Sequence, residues 1–414
     1  MEAIYPFLIN VYKKNIANID EIFIALILIT LPLGGYAINS IVVILFFLLS
    51  IYRFVKTKQS LKFSKISILF IAFYFLGVLS LLWTDSIKNT LEGLSRFLSF
   101  LILPIAFTLN SEKKFGIDSI LDKFSKSMVI YAFYCILSGI IKSIIHNDIN
   151  FMFYHELSGN LSGLNAIYLS VFISLAIGFL LIHSIKSKIN LFYLIFLGIF
   201  LMLLSSKIII SITFIYTVFY LIKTNFSKKI KPKYFIVVIS ALVIFMISSV
   251  NFVNRFRVEY EKTKINEVLG TNDFGPVYLW TGVGLRVFQT KAFLEIVSEK
   301  KQLFLGSGLN NSQENLNNKY KQYNLYPGFL NYNFHNQYLQ VFAELGIVGF
   351  SLLLLILYSL FHKAIVQKDY FVLFFIITVL TVSITESFLW RQRGMIFFIT
   401  LTLLINQKQA KLSS

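Results

Sequence analysis

Long apolar runs separated by short polar connections dominate the chain. They lie near 22–35, 36–52, 66–82, 94–109, 127–145, 164–182, 191–204, 208–222, 234–250, 338–361, 371–386 and 394–406. A spanning helix needs roughly 20 apolar residues, fewer where it is short or buried in a bundle. The runs are too long and too uniform for β-barrel strands, which alternate over about ten residues. The pattern predicts an all-α, polytopic integral membrane protein with about twelve transmembrane helices. Between the ninth and tenth runs lies one long mixed-polarity stretch, 251–337. The chain thus divides into three regions: 1–250 with helices 1–9 and short loops, 251–337 as a large helical loop, and 338–414 with helices 10–12 and a tail.

Composition agrees with this picture. The 414 residues are 57% hydrophobic and only 14% charged, against about 25% charged in soluble domains. A soluble globular enzyme and a disordered chain are both excluded. The net charge of +18 could suggest nucleic acid, but its distribution argues otherwise. Arg53, Lys56, Lys58, Lys62 and Lys65 crowd one connection. Lys113, Lys114, Lys123 and Lys126 crowd another, and Lys223, Lys228, Lys229, Lys231 and Lys233 a third. Counted through the spans, all three fall on one side together with the tail. Positive residues mark the cytoplasmic side, so both termini are expected inside and the 251–337 loop outside. No nucleic-acid partner is expected.

The run 191–222 is basic at both ends and must therefore cross twice, turning at Ser205-Ser206-Lys207. Residues 191–204, at about 1.5 Å each, reach roughly 21 Å, short of a hydrocarbon core of about 30 Å. Lys207 is thereby expected inside the protein, below the outer surface. Within the large loop, Leu285, Phe288, Ala292, Phe293 and Ile296 form one stripe of an amphipathic helix over 285–300, and Gly306-Ser307-Gly308 then breaks the helical pattern.

Several cations run against the positive-inside rule. Arg96, Lys142, Lys207, Arg286, Arg391 and Arg393 all fall in or near the outer half of the membrane. Intramembrane charge is costly and usually faces a polar cavity. An anionic partner on the outer side would explain them. Snorkelling to headgroups explains some equally well, and Glu344 and Glu386, close to spans, could pair with others. The five histidines show no metal-ligand spacing, and Cys135 is alone. Neither a metal nor a cofactor is called for.

The surroundings of His335 are more specific. His335-Asn336 is followed by nine residues, then Gly346, two residues, and Gly349. This resembles the His-Asn, nine residues, Gly-x-x-Gly signature of the bacterial O-antigen ligase family, and Leu339 and Glu344 fit it too. Three apart, Gly346 and Gly349 are expected to share one helix face and allow close packing. Arg286 followed by a helix and Leu305-Gly306-Ser307-Gly308 is similar to the family's loop arginine and Gly-x-Gly turn. Trp83 with the Arg96 span, and the segment from His155 to Tyr168, resemble further parts. Lys207 stands where the family often has arginine, which keeps the charge without the bidentate fork.

The resemblance implies glycan transfer, without a metal, on the periplasmic face of the bacterial inner membrane. The donor would be a glycan on undecaprenyl diphosphate. The acceptor would be a sugar hydroxyl of lipid A–core in a ligase, or another repeat unit in a polymerase; the motif does not separate the two. His335 would take the acceptor's proton, with Glu344 orienting or compensating it. Arg286 and Lys207 are the first candidates for the diphosphate, Arg96 and Arg391 the second, because cations stabilise the charge that develops on this leaving group. Membrane lipid would surround the prenyl chain. A transporter of lipid-linked glycan ranks third, since no pair of interrupted helices is evident.

Overall fold

We describe a computed structural model of the chain. It describes residues 19–58, 60–161, 163–183, 187–223, 257, 261, 263–275, 280–300 and 302–407. The apolar run at 234–250, the basic cluster from 224 and the tail from 408 lie outside these residues.

Among the described residues every regular element is helical. The first is α1, 19–29. Then come α2 (Tyr36–Thr57), α3 (Lys65–Leu79), α4 (Ile87–Phe97), α5 (Ser99–Leu109), α6 (Ile117–His146), α7 (Tyr154–Gly159), α8 (Ala166–His183), α9 (Lys188–Leu203) and α10 (Lys207–Lys223). Beyond the undescribed stretch come α11 (Ile265–Gly270), α12 (Gly282–Glu299), α13 (Ser312–Gln322), α14 (Gln337–Val366), α15 (Tyr370–Thr385) and α16 (Gln392–Gln407). The apolar runs within the described residues are mostly helical; the first ends its helix at residue 29, and 94–109 is divided between α4 and α5 at Leu98. Among the described residues, six helical stretches are long and apolar enough to cross a membrane: 37–57, 65–82, 87–109, 117–146, 166–183 and 337–366. Lys188–Leu203 and Tyr370–Thr385 are apolar but shorter. The chain is a multi-pass membrane protein.

The helices sort into two compact units. One comprises residues up to 71, 99–200 and those from 396 on; the other comprises 72–98 and 201–395. In the first, Asn110 donates to Ser50 Oγ (2.8 Å), while Asp20 pairs with Arg53 and Lys113. Phe397 packs against Phe172 and Phe124, with ring centroids 4.6 and 5.9 Å apart. His155 belongs here, its Nδ1 accepting from Ala166 N at the start of α8 (3.3 Å).

The second unit holds a helical insert, 263–337, with its own core. The predicted stripe Leu285, Phe288, Ala292, Phe293 and Ile296 is buried on α12 against Leu316, Tyr320 and Tyr323. Trp280 and Phe274 close one end; Trp280 lies 5.2 Å from Phe288, and the two rings lie 4.7 Å from each other. Ala343 and Phe342 of α14 close the other. Buried Lys319 pairs with Glu295 (2.9 Å) and Glu299 (2.7 Å). Burial alone would raise the Glu295 carboxyl; the Tyr323 hydroxyl and Lys319 outweigh it and hold the group below its usual range. Its contribution to stability is complete above the ordinary carboxylate range and fades as the pH falls through the lowered value.

The signature glycines do something other than line a helix face. At Gly346 φ is 61° and ψ −162°, so α14 is broken there. The turn 303–308 fills the break with backbone. Ile347 N donates to Leu303 O (3.0 Å), Ser307 N to Ala343 O (2.9 Å) and Gly308 N to Glu344 O (2.9 Å). Trp83 Nε1 donates to Leu305 O (3.0 Å) from the other side. A Cβ on Gly346 would stand 2.2 Å from Phe304 O, and one on Gly306 2.4 Å from the Glu344 carbonyl carbon. The two backbones come too close for any side chain. Gly349 makes room for Leu345, which the break swings back over it (2.3 Å to an added Cβ). At Ser205, φ of 51° likewise ends α9 at the predicted turn.

Gly346→Ala should destabilise the protein by roughly 3 kcal/mol or more, because it adds both backbone strain and a clash. Gly198→Ala, where an added Cβ meets nothing within 4 Å, should be nearly neutral. Thermal melts in detergent distinguish them; equal midpoints would show that the backbones do not meet.

Candidate active site

His335 stands one residue ahead of the helix cap of α14. Asn336 is that cap: its Oδ1 accepts from Tyr338 N (2.9 Å) and Leu339 N (3.1 Å). The cap removes two of the unpaired donors every helix start carries. His335 itself takes a left-handed conformation, φ 44°, a shape that costs a non-glycine residue about 1–2 kcal/mol. Asn333 Oδ1 supports it by accepting from His335 N (3.0 Å). In turn Asn333 O accepts from Gln289 Nε2 (2.6 Å), a buried side chain of α12.

The imidazole is partly exposed. Its Nδ1 lies 3.3 Å from Glu386 Oε2. The other carboxylate oxygen of Glu386 meets Arg286 Nη2, also at 3.3 Å. Glu386, 7% exposed, is therefore shared between a histidine and an arginine. Arg286 also donates to Thr385 O through Nε (3.0 Å) and Nη2 (2.7 Å), and to Gly282 O through Nη1 (3.0 Å). A carboxylate on Nδ1 favours the tautomer with its proton there. Nε2 is then the acceptor nitrogen, the form a general base requires.

The same short segment, 385–391, organises a second cluster. Leu389 N donates to Gln337 Oε1 (2.7 Å), which ties the segment to the first turn of α14. Trp390 Nε1 donates to Glu344 Oε1 (3.0 Å), and Gln340 Nε2 (2.6 Å) and Ser312 Oγ (3.2 Å) donate to the same oxygen. Two guanidinium groups lie against the Trp390 ring: Arg96 at 3.9 Å and Arg391 at 5.2 Å from its centroid. Arg96 Nη2 also donates to Asn310 Oδ1 (2.8 Å). The buried carboxylate thus holds an indole that carries two cations.

The family model described as O-antigen ligase matches residues 191–354. That stretch contains Lys207, Arg286, the 303–308 turn, His335 and the broken part of α14. Over that stretch the chain is similar to the O-antigen ligase family. No curated protein matches the chain.

The geometry sorts the expected residues, both inside the matched stretch and beyond it. His335 and Arg286 meet through Glu386. Glu344, Arg96 and Arg391 meet at Trp390. The carboxylate against His335 is Glu386; Glu344 sits farther along α14, roughly 10 Å from Gln337 by helix rise. Lys207 opens α10 and is half-buried. Lys142 belongs to α6, in the other unit. Asn336 serves as a helix cap and Gly346 as the break. Trp390 and Gln340 did not stand out from the sequence. One signal was present: Trp390 adjoins Arg391 and stands three residues from Arg393 in a short turn between two apolar runs.

Glu386→Gln keeps the side chain's shape and its contact with Arg286 but removes the charge beside His335. Turnover should fall about 10²-fold, the scale of a general base that is no longer oriented, with KM little changed. Initial rates in reconstituted vesicles test this; wild-type kcat would show that Glu386 has no role at His335.

Proposed function

We propose that the protein transfers a glycan from undecaprenyl diphosphate to a sugar hydroxyl on the periplasmic face of the bacterial inner membrane, with lipid A–core as acceptor. The observation that carries this reading is the pairing of His335 with Glu386 and Arg286, with His335 and Arg286 in the stretch that is similar to the O-antigen ligase family. The topology supports it. If the lysine-rich connections are cytoplasmic, the 263–337 insert and the 385–391 segment both lie outside.

In the reaction, Nε2 of His335 accepts the proton of the acceptor hydroxyl. The oxygen attacks the anomeric carbon of the donor sugar, and the bond from that carbon to the diphosphate breaks. Two electrons leave with the diphosphate, which departs with added negative charge. Fixed cations offset this charge without reorganising. Arg286, with one Nη1 hydrogen bond to Gly282 O, stands beside the histidine. Lys207, Arg96 and Arg391 supply further positive charge. Glu344 holds Trp390 and, through it, the two arginines. The prenyl chain lies along the apolar helices.

A polymerase would use the same chemistry and differ only in its acceptor, a further repeat unit. A transporter would need a polar passage along broken helices; the break at Gly346 is filled by the protein's own backbone.

His335→Ala should lower transfer by about 10³-fold, within the range for loss of a general base, while the protein still inserts and binds the lipid-linked donor. Transfer from radiolabelled donor in vesicles is the measurement, and wild-type turnover would overturn the base assignment. Deletion of the gene separates acceptors. Uncapped core with long lipid-linked chains marks a ligase; core capped by a single repeat marks a polymerase.

A further inference from the structure

α14 has 30 residues, about 45 Å at helix rise, half as long again as a hydrocarbon core. The break divides it. The part after Gly346, Ile347–Val366, comes to about 30 Å, the thickness of the core by itself. Gly346 therefore marks the level at which α14 enters the hydrocarbon.

The 303–308 turn docks at that level. It presents Leu303, Phe304 and Leu305, with Phe304 67% exposed. Its neighbours are equally apolar and bare. Leu82, 81% exposed, precedes the Trp83 that donates to Leu305 O; Val348, 41% exposed, follows the Ile347 that donates to Leu303 O. Leu82 and Val348 belong to candidate spans, so the patch continues the lipid-facing surface of two membrane helices. The backbone is prepared for such a place. Leu303 O and Leu305 O have protein donors, and Gly306 N donates to Gln302 O (3.1 Å). Non-helical chain persists at membrane depth only where its polar groups are satisfied by protein. Trp83 bonds at the same level, as indoles do at the membrane interface.

We propose that Leu303-Phe304-Leu305 insert among the phospholipid acyl chains of the leaflet facing the insert. The insert is then seated in the bilayer, with the break in α14 as its socket. This rests on the multi-pass membrane character of the chain and is independent of glycan transfer.

The test uses the full chain with Cys135→Ser and Phe304→Cys, labelled with bimane and reconstituted in phosphatidylcholine vesicles that carry doxyl groups at shallow or deep acyl positions. Shallow doxyl lipid should remove about half of the emission, as for a side chain just below the headgroups, while aqueous iodide removes little. Leu82→Cys provides the reference for a lipid-facing site, and Leu305→Cys replaces Phe304→Cys if the latter does not reconstitute. Strong iodide quenching overturns the proposal, because the patch then faces water. Quenching by neither agent also overturns it, because protein or a second copy then covers the patch. Transfer measured on the same labelled protein keeps the two readings apart: activity with a water-exposed label removes the insertion alone.

Discussion

The hydrogen bonds between the 303–308 turn and the broken turn of α14 carry the rest of the site. A helix interrupted at Gly346 loses backbone partners that water replaces at a surface but that nothing replaces near hydrocarbon. The turn supplies them: Leu303 O, Ser307 N and Gly308 N each engage α14. Leu309 N, one residue on, reaches Ser80 Oγ (3.0 Å). The insert is thereby clamped between the end of α3 and the head of α14. Gly306 and Gly346 follow from one constraint, the approach of two main chains closer than any Cβ allows, while Gly308 makes room for Thr84 and Gly349 for Leu345.

On that frame the 385–391 segment distributes charge. At one end it brings Glu386 between His335 and Arg286; at the other it brings Trp390 onto Glu344 and under Arg96. Each carboxyl group is buried and engaged by two or more donors, so its polar atoms are satisfied. Arg286, Arg96 and Arg391 remain partly accessible around them. The result is a surplus of positive charge held in place by fewer negative groups. The proposed transfer calls for such an arrangement, since charge that stabilises an anionic leaving group must be fixed before the bond breaks.

Much of this was legible in the sequence, for reasons that can be named. Apolar runs locate helices because burial and lipid both select uninterrupted hydrophobicity, and the described runs are mostly helical. The stripe Leu285 to Ile296 located the insert's core because the 3.6-residue period survives tertiary packing. The His335 motif marked a residue that the fold sets beside Glu386 at the start of α14. What escaped was non-local. Gly346 and Gly349, three apart, read as one helix face; only the turn from about 40 residues upstream makes the first a break. Glu344 and Glu386 look alike, each an acid at the edge of a span. Which one meets His335 depends on how 385–391 crosses α14, and no local pattern encodes that. The run 234–250, expected as the ninth span, falls outside the described residues.

The hydrogen bonds from Gln289 to Asn333 O and from His335 N to Asn333 Oδ1 have a mechanical meaning. They tie the main chain of the histidine to the central helix of the insert. Gln289 is itself locked to Tyr320 of α13 (2.9 Å). The insert is thus no hinged cover that swings while His335 stays behind. Moving α12 moves the histidine. Lengthening or exchanging α12 would retune the position of His335 even though the two lie far apart in sequence.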